Sequence, residues 1–287
     1  MDYSMTFSQL ATREVGVMQG RLVPQIANRI QAFPWPNWRE EFELARLHDF
    51  SSIEFVFEVD RFDENPIYTD GGIEDIKRLI DQTGVLVSAI CGDYFMDRPF
   101  FGVPVSAQKE SIFVLQRLIR CAGMVGAKRV EIPCVDHASI RNEEEKRNLV
   151  ASVSNCLDIA EKLSIEIVFE TSLPPEEFRE FLEHFEHPLI KANFDTGNSA
   201  SLGYEPIHEI STLGSFISNV HIKDRMLHGT TVPLETGNAN FPSIFATLAK
   251  IDYQGPFILQ TARDADDIQV ATKYRDMVRS YLSNQPV

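Results

Sequence analysis

The sequence predicts a closed, parallel, eight-stranded (β/α)8 barrel, the TIM barrel, as a single domain over residues 1–287, and three observations predict it. Eight strand-length runs rich in Val, Ile or Phe alternate with amphipathic segments from end to end, without a Ser/Gly-rich linker or a break in composition. The repeat averages about 36 residues, the length that a strand, a crossover helix and two loops require. No GxGxxG or GxxxxGK[ST] follows any run, so an open doubly wound sheet would lack its phosphate cradle.

The strands are expected at 15–18, 52–57, 85–91, 129–134, 166–170, 191–195, 219–223 and 256–260. After the first come Phe42, Leu44, Ala45 and Leu47, which helical geometry gathers on one face. Ile73, Ile76, Leu79 and Ile80 do the same after the second, and Ile112, Leu115, Leu118 and Ile119 after the third. Leu149, Val153, Leu157 and Ile159 follow the fourth. The later crossovers are shorter: Phe178, Phe181 and Leu182, then Ile207 and Ile210, then Phe245, Leu248 and Ile251. A last helix over 264–282 closes the ring. If the first dozen residues extend beyond the first strand, they are expected either to be disordered or to cap the bottom of the barrel.

With 44% hydrophobic residues the chain can bury a large core, and 27 basic against 42 acidic side chains leave a net charge of −15. Such a surface repels phosphate backbones and anionic lipid, which argues against nucleic acid and membranes as partners. The N-terminus lacks a basic segment followed by an apolar run, and no stretch of about 18 apolar residues occurs. Cys91, Cys121, Cys134 and Cys156 lie in apolar stretches without CxxC spacing. These features are those of a soluble, cytoplasmic protein with reduced thiols.

Side chains alternate along a strand, so Glu170, Asn193, Asp195, His221, Lys223 and Gln260 share the inward parity and end four strands at one mouth. A parallel barrel carries its active site there. Two carboxylates, one imidazole and one amide oxygen make a metal set suited to Mn²⁺ or Mg²⁺, with Co²⁺ or Zn²⁺ as alternatives. Glu54, Glu58 and Glu131 also face inward, either as part of the site or paired with Arg21, Arg129 or Lys223. Aromatic loops at 34–38, 93–97 and 99–101 either cover sugar C–H surfaces or anchor the loops. Of the histidines, His48, His184, His187 and His208 read as solvated, and His137 and His228 are weaker site candidates.

VFET at Glu170, NFDTGN at Asp195, VHIKDR at His221 and ETGNANFPSIFATL…GPFIL before Gln260 resemble the xylose-isomerase-like sugar isomerase/epimerase superfamily, in strand order over nearly the whole chain. The resemblance, to members similar to D-tagatose 3-epimerase and inosose dehydratase, implies metal ligands at Glu170, Asp195 and His221 and a fourth at position 260. Epimerases of this kind carry Glu there and use two glutamates as opposed acid–base partners. Gln260 can offer an oxygen to a metal but cannot accept the proton. The resemblance therefore implies a sugar or sugar-phosphate isomerase in which Glu170 is the base and Lys223 supports developing charge or holds a phosphate, with isomerisation favoured over 3-epimerisation.

Arg21, Glu131, Asn198, Asp224 and Arg263 are the expected substrate-binding residues, and a homo-oligomer is compatible with the family. Two rival readings are a dehydratase that expels water at the same site and a non-catalytic sugar-binding barrel. A metal-dependent endonuclease is disfavoured, because strands two and three end in VFE and CGD without His, and Asp195-Thr-Gly-Asn198 replaces a DxxH pattern.

Overall fold

The computed structural model describes residues 15–283 and holds one closed barrel of eight parallel strands in sequence order. Residues 1–14 and 284–287, which the single-domain expectation and the N-terminal cap include, lie outside the described residues. The strands are β1 Val15–Met18, β2 Ser52–Val56, β3 Leu86–Cys91, β4 Arg129–Cys134, β5 Glu166–Thr171, β6 Ile190–Asp195, β7 Ile217–Ile222 and β8 Phe257–Leu259. β1 pairs with β8 through Val15 to Phe257, Gly16 to Ile258 and Val17 to Leu259, which closes the cylinder.

The crossover helices are α1 Glu40–Leu47, α2 Asp70–Thr83, α4 Val105–Val125, α5 Glu143–Ser154, α6 Leu157–Leu163, α7 Pro175–Glu183, α9 Pro206–Leu213, α10 Phe241–Lys250 and α11 Asp267–Ser283. Short helices α3 Tyr94–Asp97 and α8 Thr196–Leu202 sit at the mouth. The single periodicity read from Leu149 to Ile159 is two helices, broken where Asn155 turns its amide back onto the carbonyls of Ala151 and Ser152.

Outward strand residues meet the helices. Phe169 packs against Phe181 and Phe185, and Phe257 against Phe245, all buried. The inward set fills the axis. At the lower end Gly16 has no room for a side chain, since a Cβ would lie 2.4 Å from Ser52 Oγ and 2.8 Å from Ile258 Cδ1. Nearby, Arg129 pairs with Glu166 at 3.1 Å at the starts of β4 and β5. Irregularities in register fall between Ile53 and Glu54 and between Ala192 and Asn193, just before inward residues that carry the polar cluster above.

Candidate active site

Four strands deliver the cluster. Glu170 is the penultimate residue of β5, Asp195 ends β6, His221 is the penultimate residue of β7, and Gln260 follows β8. One oxygen each from Glu170 and Asp195 and a ring nitrogen of His221 all lie within 4.8 Å of one another. All three side chains are buried.

Asn193 is the hub. Its Nδ2 lies 2.8 Å from Glu170 Oε2, 2.9 Å from His221 Nδ1 and 3.1 Å from Glu131 Oε1. The other ring nitrogen, Nε2, faces Glu54 Oε1 at 3.2 Å and Glu131 Oε2 at 3.3 Å, while Asn219 donates to Glu54. Each face of the imidazole thus has carboxylates, and the Glu54 and Glu131 side is placed to fix the ring while Nδ1 faces Glu170 and Asp195. Of the two readings of Glu54 and Glu131, pairing with Arg21, Arg129 or Lys223 is corrected: their charged partner is His221, reached across the axis.

The electrostatics follow from burial. Desolvation alone would lower the His221 imidazole, but Glu131 and Glu54 outweigh it and push it well above its ordinary value. Burial, with Glu54 and Glu170 adding to it, raises the Glu131 carboxyl. Burial would raise Glu170 too, but hydrogen bonding and charge from His221, then Lys223, hold it at about 2. Glu170 is an anion whose second oxygen accepts from Asn198 Nδ2.

Asp195 also caps α8, accepting from the backbone N–H groups of Gly197 and Asn198 at 2.8 and 2.7 Å. That contact explains the helix, absent from the sequence reading, directly after the strand. Lys223 Nζ bridges Asp195 Oδ2 at 3.2 Å and Gln260 Oε1 at 2.8 Å. Gln260 therefore joins the cluster through Lys223, and its amide nitrogen donates to Gln31 Oε1 at 2.9 Å. Gln31 donates in turn to Asp93 at 2.7 Å. Gln31 lies on the β1–α1 loop and Asp93 two residues beyond β3, so strand parity signals neither of them.

Above the cluster opens a cavity of about 730 Å³, lined by Arg21, Glu131, Glu170, Asn198, Lys223 and Gln260 among others. Asp224 and Arg263, expected to bind substrate, do not line it. Asp224 is fully buried and accepts from the backbone of Gly237 and Ala239, where a Cβ on Gly237 would come 2.2 Å from the carboxylate. Arg263 is held by Asp267 at 2.7 Å and the Val23 carbonyl. Both fasten loops. The aromatic loops also serve as anchors: Phe33, Trp38, Tyr94, Phe95, Phe100 and Phe101 are buried, and no aromatic side chain lines the cavity among the described residues. His137 reaches the rim, 3.5 Å from Asp97.

The donor set fits a divalent cation. Four buried carboxylates, Glu54, Glu131, Glu170 and Asp195, surround one imidazole and one ammonium, and Glu131 Oε2 lacks a hydrogen-bond partner. Such an excess of buried negative charge is what a bound cation compensates. Oxygen and nitrogen ligands without thiolate suit Mn²⁺ or Mg²⁺ and admit Co²⁺ or Zn²⁺.

The family model of the xylose isomerase-like TIM barrel matches residues 42–282. An L-ribulose-5-phosphate 3-epimerase, UlaE, of Escherichia coli O1:K1 / APEC is 22% identical over 259 residues, covering 86% of this chain and 90% of that protein. Among solved structures, the IolI protein with a zinc atom superposes with a TM-score of 0.77 at 16% identity, covering 95% of this chain and 99% of the other. D-psicose 3-epimerase with D-tagatose, from Clostridium cellulolyticum H10, gives 0.75 at 14% identity over 94% and 99%.

Proposed function

The chain belongs to the xylose isomerase-like TIM barrel family, and from that premise we propose that it is a divalent-metal-dependent sugar or sugar-phosphate isomerase or epimerase of the cytoplasm. The convergence of Glu170, Asp195 and His221 under the cavity carries this reading.

Glu170, ionised and aimed by Asn193 and Asn198, takes the proton from the carbon beside the substrate carbonyl, leaving an enediolate. Glu170, Asp195 and His221 would hold the metal, with Gln260 Oε1 as a fourth ligand, and a bound ion would supply Lewis-acid polarisation of the carbonyl. Lys223 places a positive charge beside Asp195 and Gln260, where it supports negative charge on the substrate oxygens. The Gln260 amide does not titrate and so cannot act as acid or base at the second face. Aldose–ketose isomerisation returns the proton on the same face but to the neighbouring carbon, while a hydroxyl proton passes between the two enediolate oxygens; at carbon this needs only Glu170, so we favour it over 3-epimerisation.

Elemental analysis of protein purified without chelators tests the site: about one equivalent of metal in wild type, lost in His221→Ala. No metal after incubation with Mn²⁺ would sink the metal-assisted reading. In a ketose and ketose-phosphate screen the wild type should interconvert aldose and ketose, while Gln260→Glu gains 3-epimerisation. A wild type that already epimerises at C3 would refute the stated preference, and a dehydrated product would assign the site to elimination.

A further inference from the structure

We propose that the cavity takes a neutral, unphosphorylated sugar; this rests on reading the site as a sugar site and narrows its substrate class. Four permanently cationic side chains line the cavity, Arg21, Arg29, Lys223 and Arg225. Arg29 is paired with Glu58, and Lys223 with Asp195. Arg225 spends its donors on the Gly229 carbonyl at 2.9 and 3.1 Å and Asn198 Oδ1 at 2.7 Å, with Asp136 at 3.9 Å.

Arg21 alone has no carboxylate in contact, yet it does not offer an anion site. Its Nε donates to the Thr261 carbonyl at 3.1 Å and its Nη2 points to Gln31 at 3.4 Å, while its Nη1, which has no hydrogen-bond partner, is covered from solvent and out of reach of the cavity. Its charge already faces Glu41, Asp93 and Asp267, and burial together with Arg263 lowers its pKa to about 10.

The two features that hold phosphate in comparable barrels are also occupied. Loops after the seventh and eighth strands often bind it, but Arg263 in the second of these is tied to Asp267 and Val23. Of the short helices at the mouth, α8 has the N–H groups of Gly197 and Asn198 taken by Asp195. Around the rim stand Asp60, Asp97 and Asp136, all exposed. A phosphate dianion entering here would meet carboxylates first, find Arg29, Lys223 and Arg225 engaged, and be kept from Arg21 Nη1 by its burial. A neutral sugar meets hydroxyl-binding carboxylates and amides below and, on the walls, Ile30, Val59, Met96, Pro133 and Val135 for its C–H surfaces. The L-ribulose-5-phosphate 3-epimerase similar to this chain acts on a phosphorylated ketose, so this assignment separates the two proteins by substrate charge.

Titration calorimetry of protein loaded with Mn²⁺ and freed of excess metal tests it with matched pairs: D-fructose, D-tagatose and D-ribulose, each against its terminal phosphate ester. The free ketose should bind at least about tenfold tighter than its ester in each pair that binds, and the gap should widen at low ionic strength, where repulsion is less screened. In Asp60→Asn/Asp97→Asn/Asp136→Asn the esters should gain about threefold in affinity while the free ketoses do not change. An ester that binds as tightly as its free sugar, or tighter, overturns this inference and leaves the sugar-site reading standing. Binding of neither form in all three pairs overturns both.

Discussion

Glu209→Gln should stabilise the protein at pH 8 and change it by less than about 1 kcal/mol at pH 5. Glu209, on α9, is 6% exposed; one oxygen accepts from Ser199 Oγ at 3.0 Å, and the other has no partner. Burial, with the Asp195 charge adding to it, raises its carboxyl from an ordinary 4.5 to about 7. The folded protein therefore holds this proton more tightly than the unfolded chain does. Between the two values the folded state binds more protons, so stability is full below pH 4.5 and declines as pH rises towards 7.

At about 1.4 kcal/mol per tenfold change in proton affinity, the full loss is on the order of 3 kcal/mol by pH 8. Glutamine keeps an acceptor for Ser199 and carries no charge, so it escapes the decline. Urea unfolding of wild type and variant at pH 5 and pH 8 measures the difference at each pH. A stability difference equal at both values would refute the reasoning, because it would assign the effect to packing rather than to the proton.

Gly197→Ala should cost about 1–3 kcal/mol in urea unfolding, since a Cβ there would lie 2.7 Å from Lys223 Cγ and 3.1 Å from its carbonyl carbon. Glu54→Gln weakens the charged support of His221 Nε2 at 3.2 Å and should lower Mn²⁺ affinity about 10- to 100-fold by equilibrium dialysis, with the fold intact by circular dichroism. Free Mn²⁺ at about one hundred times its dissociation constant should stabilise wild type by about 2.7 kcal/mol in thermal unfolding, an increment that a chelator reverses and that His221→Ala lacks.

Strand parity is local chemistry, which is why alternation alone could gather Glu170, Asp195 and His221 at one mouth: each sits on a strand whose neighbours are paired on both sides. The same counting fails once a strand ends. Asp224 and Arg263 lie one and three residues past the inward positions Lys223 and Gln260, and the chain there has already turned to fasten its loops. Gln31 and Asp93 meet because a loop from one side of the ring folds over a residue on another, a path no periodicity encodes. Partners across the axis are equally invisible in a linear pattern. Arg and Lys looked like the natural companions of Glu54 and Glu131, whereas the barrel's radius sets them against a histidine from β7.

The seam where the cylinder closes has a consequence for how the protein is made. Gln31 bonds Gln260 across 229 residues of chain, and Arg21 to Thr261 and Arg263 to Val23 each span 240. A nascent chain emerging from the ribosome cannot form these contacts until almost all of it has been translated. Until then β1 has no β8 beside it, and its open edge is available to other chains. Contacts of such sequence separation form slowly, so this first strand waits longest for its partner.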